Sequence, residues 1–222
     1  MGYAELHCAS AFSFLEGASL PEDLVARAAE LGLPAVALID RNTVSGAPRF
    51  WKAASDAGIR PLVGAEVVLD ERPTPERETP APLAERPTSL PGPLGLVPDP
   101  PPPGTPLPRL TLLAEDHRGY RNLCRLLTVA ARGRPKGAAR ATWRQVEAHA
   151  EGLHCLTGGG EGVLAQRLVH CGLDAARREL ERLRSLFPGR LSVELQRHHL
   201  REEEHRNRAF ASLAGRLRLP VV

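Results

Sequence analysis

The chain has 222 residues, with 29 lysines and arginines against 26 aspartates and glutamates for a net charge of +3. Its 42% hydrophobic and 25% charged residues are the composition of a globular domain with a sizeable core. No run approaches the roughly 18 apolar residues of a membrane span, and no charged-then-apolar leader opens the N-terminus, so a cytoplasmic protein with no membrane partner is expected. Cys8, Cys124, Cys155 and Cys171 show no CxxC spacing and are expected as reduced thiols. The mild net charge by itself says almost nothing about nucleic acid.

In chain order, apolar alternation predicts a strand over 4–8. A helix over 21–31 follows, with Ser19 as its expected cap ahead of Pro21, then a strand over 35–39, a helix over 46–57 and a strand over 61–69. Residues 71–108 are different material: they hold 14 of the 21 prolines in 38 residues and show no apolar period. Proline fixes φ and lacks an amide donor, so this stretch cannot join a sheet or helix interior. It is expected as a Pro-rich disordered insertion, either a tolerated surface loop or a PxxP ligand, inside a domain formed by 1–70 and 109–222. Beyond it come strands over 110–114, 153–157 and 190–195 and the start of another at 219–222. Helices are predicted over 120–131, 142–150, 162–169, 173–186 and 201–217.

Seven β/α repeats predict a parallel, barrel-like α/β fold, in which chemistry gathers at the C-terminal ends of the strands. His7, Asp40, Glu66 and His198 fall at or near such ends. A His-x-His pair at a strand end would aim two imidazoles at one metal, and here the second position is Ala9. Taken singly, His7 and His198 also suit hydrogen-bonded structural roles. The GGGEG run at 158–162 suits a turn, or a phosphate cradle that lacks the Lys-Ser/Thr of a Walker loop. A basic stretch, Arg132, Arg134, Lys136, Arg140 and Arg144, suits either a solvated loop or contact with a DNA backbone.

Six segments then carry a resemblance: ELHCASAFSFLEGAS (5–19), PEDLVARAAELGLPAVALID (21–40), GIRPLVGAEVVLD (58–70), LTLLAEDHRGYRNLCRLLT (110–128), EGLHCLTGG (151–159) and LSVELQRH (191–198). Together, in order and spacing, they resemble the PHP (polymerase and histidinol phosphatase) domain that opens bacterial C-family DNA polymerases, the DNA polymerase III alpha subunit family. The wording GYRNLCRLLT and ELQRH is more similar to the error-prone branch than to the replicative one. The resemblance implies a distorted (β/α)7 barrel, here incomplete at its C-terminal end because the chain stops inside the expected seventh strand.

It also implies a two- or three-metal site built from His-x-His, Asp-His, a Glu, a further His, a His after ELQR and a terminal Asp-x-His. On this sequence the matching positions are His7, Asp40, Glu66 and His198, a vestigial cluster. Ala9 and Arg41 stand where histidines are expected, and Arg109 stands near the place of another. Four ligands could hold at most one ion, and two arginines would set fixed positive charge beside it. No cofactor is therefore expected in this segment; zinc or manganese are the ions such a site would take, and magnesium belongs to the polymerase part of the family. Arg41 or Arg109 is expected to replace the metal by bridging Asp40 and Glu66.

The function implied is that of the N-terminal PHP domain of an error-prone DNA-directed DNA polymerase, a nucleotidyltransferase serving synthesis in damage tolerance. This segment lacks the polymerase palm and is expected to be structural, non-catalytic and inactive alone. Its partners would be the remainder of the polymerase and, through it, DNA. The alternatives are a stand-alone metal-dependent PHP phosphoesterase and a decayed non-catalytic fragment.

Overall fold

The computed structural model describes residues 3–70 and 106–222, so the proline-rich insertion expected at 71–108 lies almost wholly outside the described residues. Twelve elements occur in the order β1 (Glu5–Cys8), α1 (Pro21–Glu30), β2 (Ala35–Leu38), α2 (Ala47–Asp56), β3 (Arg60–Val68), β4 (Arg109–Ala114), α3 (His117–Ala131), α4 (Trp143–His149), β5 (Leu153–Leu156), α5 (Val163–Leu186), β6 (Leu191–Ser192) and α6 (Arg201–Leu217). The strands form one six-stranded sheet in sequence order, β1 to β6, whose outer strands do not pair with each other. The architecture is an incomplete (β/α) barrel.

Alternation along the strands divides the core. Ala65, Val67, Leu110, Leu112, Leu153 and Cys155 pack outward with Leu123, Leu126, Leu164, Leu180, Leu183 and Phe187 of the covering helices. Val36 and Leu38 do the same with Val25, Phe50 and Ala54. The opposite face holds a cluster to which no helix contributes, Ala37, Ile39 just past β2, Leu113 and Leu156, joined by Leu6 and Leu62. Residues alternate sides along a strand, so Glu66, between Ala65 and Val67, is directed to this inner face.

Local chemistry sets the helix starts. Asp116 caps α3 by accepting from the Gly119 amide at 2.7 Å. Thr142 and Gln145 form a reciprocal capping box at α4, with Thr142 N donating to Gln145 Oε1 and Gln145 N to Thr142 Oγ. At α1 the cap position is Leu20 rather than the expected Ser19: the Leu20 amide donates to Asp23 Oδ2, and Pro21 fills the first helical position. Gly172, at φ +80°, breaks α5 into the two helical runs that the sequence predicts.

Two expectations are corrected. The sheet is not wholly parallel: β4 runs antiparallel to both β3 and β5, while every other neighbouring pair is parallel. An alternating pattern has the same period in either direction, so it cannot report which way a strand runs. The reversal is locked at its start, where the Leu69 amide donates to the Pro108 carbonyl at 2.8 Å. The strand expected over 190–195 is ordered as β6 for two residues only. Val193 then pairs in parallel with Val221, and Leu195 N donates to Val222 O, so 219–222 does start to add to the sheet beyond β6. No helix among the described residues is long and apolar enough to cross a membrane.

Candidate functional site

A cleft of about 310 Å³ opens at the C-terminal ends of the parallel strands, lined by His7, Ala9, Glu16, Glu66, Arg109, Glu161 and Gln196 among others. The reversal of β4 is what brings Arg109 here, because the N-terminal end of a reversed strand lies beside the C-terminal ends of its neighbours. Glu66 reaches the cleft from β3, and His7 from an irregular stretch of β1, where the register with β2 shifts between Glu5 and Cys8.

Arg109 is the hub. Its Nη1 donates to Glu66 at 2.8 Å and to Glu16 at 3.1 Å, while Nη2 lies 2.7 Å from both Glu16 and Glu161. Its side chain is only 14% exposed, and that of Glu66 11%. Burial works against the guanidinium charge, yet the three carboxylates hold its proton more tightly than in water. Burial alone would raise the Glu66 carboxyl, but His7 and Arg109 together hold it below its ordinary value. A planar guanidinium with five donors suits this multiple engagement, which an ammonium could not reproduce.

His7 sits between two acids. Its Nδ1 lies 2.7 Å from Glu194 Oε1 and its Nε2 3.5 Å from Glu66 Oε1. Burial pulls the imidazole pKa down, but Glu194 and then Glu66 more than offset it and raise it to about 10. At neutral pH the ring is therefore an imidazolium, with both nitrogens protonated.

The four residues expected as one cluster are distributed differently. His7 and Glu66 meet. Asp40 is buried below them, where it accepts from the Ser10 amide at 2.7 Å and from the Ser10 and Ser13 hydroxyls at 2.8 Å each. His198 lies outside this cleft but lines, with His7 and Glu194, a neighbouring one of about 360 Å³; its Nδ1 is 2.7 Å from Glu203, a pairing that depresses that carboxyl to about 2. Arg41 hydrogen-bonds Glu16 and the Phe14 carbonyl. Neither arginine bridges Asp40 to Glu66: Arg109 ties Glu66 to Glu16 and Glu161 instead, because the serine loop already occupies both Asp40 oxygens. Asp40→Ala is expected to cost about 2–4 kcal/mol, since three buried donors lose one acceptor. Urea denaturation in chelator checks this against Asp40→Asn, which should cost less; an Asp40→Ala midpoint equal to that of the parent would contradict it.

Three residues of the site escape sequence reasoning: Glu16, Glu161 and Glu194. Glu16 lies inside the SFLEG run, Glu161 inside GGGEG and Glu194 inside ELQRH, so each was adjacent to a recognised feature. None of the three has a basic residue as its chain neighbour, so local sequence carries no sign of their pairing. The Gly158–Gly162 run itself is a turn, with Gly162 N donating to Gly159 O at 3.0 Å, and it delivers Glu161 to Arg109. Among the described residues no group of three or more His, Cys, Asp or Glu is arranged to hold a metal ion.

Comparison with known proteins agrees with this frame. The model of the PHP domain family matches residues 5–198. The "Error-prone DNA polymerase" of Mycobacterium tuberculosis (strain ATCC 25618 / H37Rv) is 39% identical over 225 residues, covering 100% of this chain and 18% of that protein. Proteins of the same name from Symbiobacterium thermophilum and Anaeromyxobacter sp. (strain K) are 34% and 38% identical, with 19% and 16% of their lengths covered. The chain thus spans less than a fifth of the length of these relatives. Among solved structures, a protein assigned as a metal-dependent phosphoesterase from Bifidobacterium adolescentis superposes with a TM-score of 0.52 at 16% identity, over 98% of this chain and 85% of that one. An amidohydrolase from Chromobacterium violaceum, solved with sulfate and without metal, gives 0.53 at 14%, over 98% and 84%. With the family model matched along most of its length, the chain belongs to the PHP domain family.

Proposed function

We propose that this chain is the N-terminal PHP domain of an error-prone DNA polymerase, and that within the polymerase it is a structural, non-catalytic unit. The relatives' shared name and the full coverage of this chain support the first part. The second rests on one observation: the Arg109 guanidinium occupies the position among Glu16, Glu66 and Glu161 from which a divalent ion would draw its carboxylate ligands.

The remaining donors do not fit a metal pair. Ala9 offers a methyl group, and His7 is engaged on both ring nitrogens, with Glu194 at 2.7 Å and Glu66 at 3.5 Å. Asp40 has both oxygens committed to the serine loop, and His198 is paired with Glu203. A hydrolytic two-metal centre needs ions about 3.5–4 Å apart with bridging anions and neutral imidazoles. Here fixed cations satisfy the same acids, and the cleft becomes a tie between β1, β3, β4 and the loops after β1 and β5. The chain would then hand the polymerase body a rigid surface at this end of the barrel, with damage-tolerant DNA synthesis carried out elsewhere in the protein.

The test is a thermal melt with and without manganese or zinc. A tight native-state ligand at a hundredfold excess over its Kd adds about 2.7 kcal/mol. The expected result is no upward shift at about 1 mM of either ion, and no manganese-dependent hydrolysis of a phosphomonoester. Metal-dependent hydrolysis that disappears in His7→Ala would instead establish the phosphoesterase reading.

A further inference from the structure

Residues 117–144 contain eight basic residues and no aspartate or glutamate. The charged share of this stretch is close to the chain's 25%, but all of it has one sign. A solvated surface normally mixes the two signs, so the asymmetry calls for a partner that supplies the anions.

The fold gathers these charges on one surface. At 100° per residue, Arg118, Arg121, Arg125 and Arg132 lie within about 60° of one another around α3, so they form a stripe along its outer face. Arg121, Arg125 and Arg132 are exposed. The turn after α3 packs back against the C-terminal end of the helix, with Arg140 N donating to the Ala130 carbonyl at 3.1 Å, which keeps the cations of the turn, Lys136 and Arg140, near the Arg132 end of the stripe, ahead of Arg144 at the start of α4. The turn is pinned to the cleft end of the barrel by Asn42 Nδ2 on the Ala139 carbonyl and by Arg134 on Asp70.

Nearby acids are few and partly engaged. Glu151 is taken by Arg118 at 2.6 Å, Asp70 by Arg134 at 2.7 Å, and Asp116 caps α3; Glu115 and Glu147 flank the patch. Among the described residues Arg121, Arg125, Arg132, Lys136, Arg140 and Arg144 have no ion-pair partner. From Arg121 to Arg132 the stripe runs on the order of 16 Å at about 1.5 Å per residue, long enough to meet several phosphates of one strand.

We infer that this face of α3, the following turn and the start of α4 is a docking surface for the phosphate backbone of duplex DNA. The choice of DNA among polyanions rests on the proposed place of the chain in a DNA polymerase. A membrane-surface helix would set large apolar side chains beside its basic face, and none of the exposed large hydrophobics falls within 117–144. The contacts are to phosphate, so binding carries no base preference and falls steeply with salt.

Fluorescence anisotropy of a labelled random-sequence duplex, titrated with the full chain from about 50 to 200 mM salt, tests this. The parent is expected to bind with log K falling linearly in log salt at a slope of about −3 or steeper. Arg121→Glu/Arg125→Glu should weaken binding at least tenfold and flatten the slope by about 2. Arg208→Glu/Arg216→Glu, which makes the same change in net charge on the exposed side of α6, should stay within about twofold of the parent. Circular dichroism melts confirm that both variants are folded. No binding by the parent at the lowest salt, an equal loss in both variants, or binding to phosphatidylserine vesicles without binding to DNA would each overturn the inference. The metal titration of the cleft involves none of these residues, so the two readings fail separately.

Discussion

Arg109→Ala is expected to lower the stability of the domain by about 3–5 kcal/mol, the range seen when one partner of a buried ion pair is removed. Glu66 carries the cost, because its side chain is nearly closed off from water and loses the nearer of its two cations. Glu16 and Glu161 are more exposed and can turn to solvent, so they limit the damage rather than add to it. For a domain of this size the loss corresponds to a fall in Tm of roughly 10 °C. Arg109→Leu/Glu66→Leu removes both charges and should recover much of the deficit, since apolar packing often replaces a buried pair at little net cost. A single-variant loss under about 1 kcal/mol would place Arg109 with ordinary surface pairs.

Alkaline pH should weaken the fold through His7. Burial opposes its charge, but Glu194 and Glu66 bring its pKa from an ordinary 6.5 to about 10 in the folded state. A histidine that binds its proton more tightly when folded contributes its full stabilisation below about pH 6.5 and loses it as pH rises towards 10. Glu66 works in the opposite sense: its depressed carboxyl stabilises the fold above the ordinary carboxylate range and stops doing so as acid protonates it. Stability should therefore plateau between about pH 5 and 6.5 and then fall by up to about 1.4 kcal/mol per pH unit. Between pH 6.5 and 8.5, below the range where the thiols ionise, the decline is on the order of 2–3 kcal/mol. Urea midpoints measured across that range check it. His7→Gln should flatten the profile, and an unchanged slope in that variant would assign the effect to another group.

The architecture was largely legible because its signals are local. Alternation and glycine breaks locate the six strands and the helices found among the described residues, and the Gly172 break is visible as a bare residue between two helical runs. Two kinds of information were not local. Strand direction leaves no trace in a pattern of period two, so the reversal of β4 could not be read, and with it the reason Arg109 reaches the cleft. Partner choice was equally hidden: Asp40 stood at the right strand end, but Ser10 and Ser13 had already closed around it through a loop that no spacing rule describes. Glu16, Glu161 and Glu194 match no metal-ligand spacing, yet the balance of charge in the cleft is set by these acids. The site is legible as a place, and less so as a set of bonds.

The reversed fourth strand has one more consequence. Since β3 and β4 pair directly and the Leu69 amide is bonded to the Pro108 carbonyl, the two ends of the intervening stretch are held side by side by the sheet itself. Closing a longer connection there costs only about 0.6 kcal/mol for each doubling of its length, because the ladder already fixes where it must begin and end. The β3–β4 junction is thus the graft point of this barrel, where sequence of almost any length can be gained or lost without renegotiating the core. It also opens at the cleft end, with Pro108 next to Arg109 and Asp70 tied to Arg134 of the basic turn.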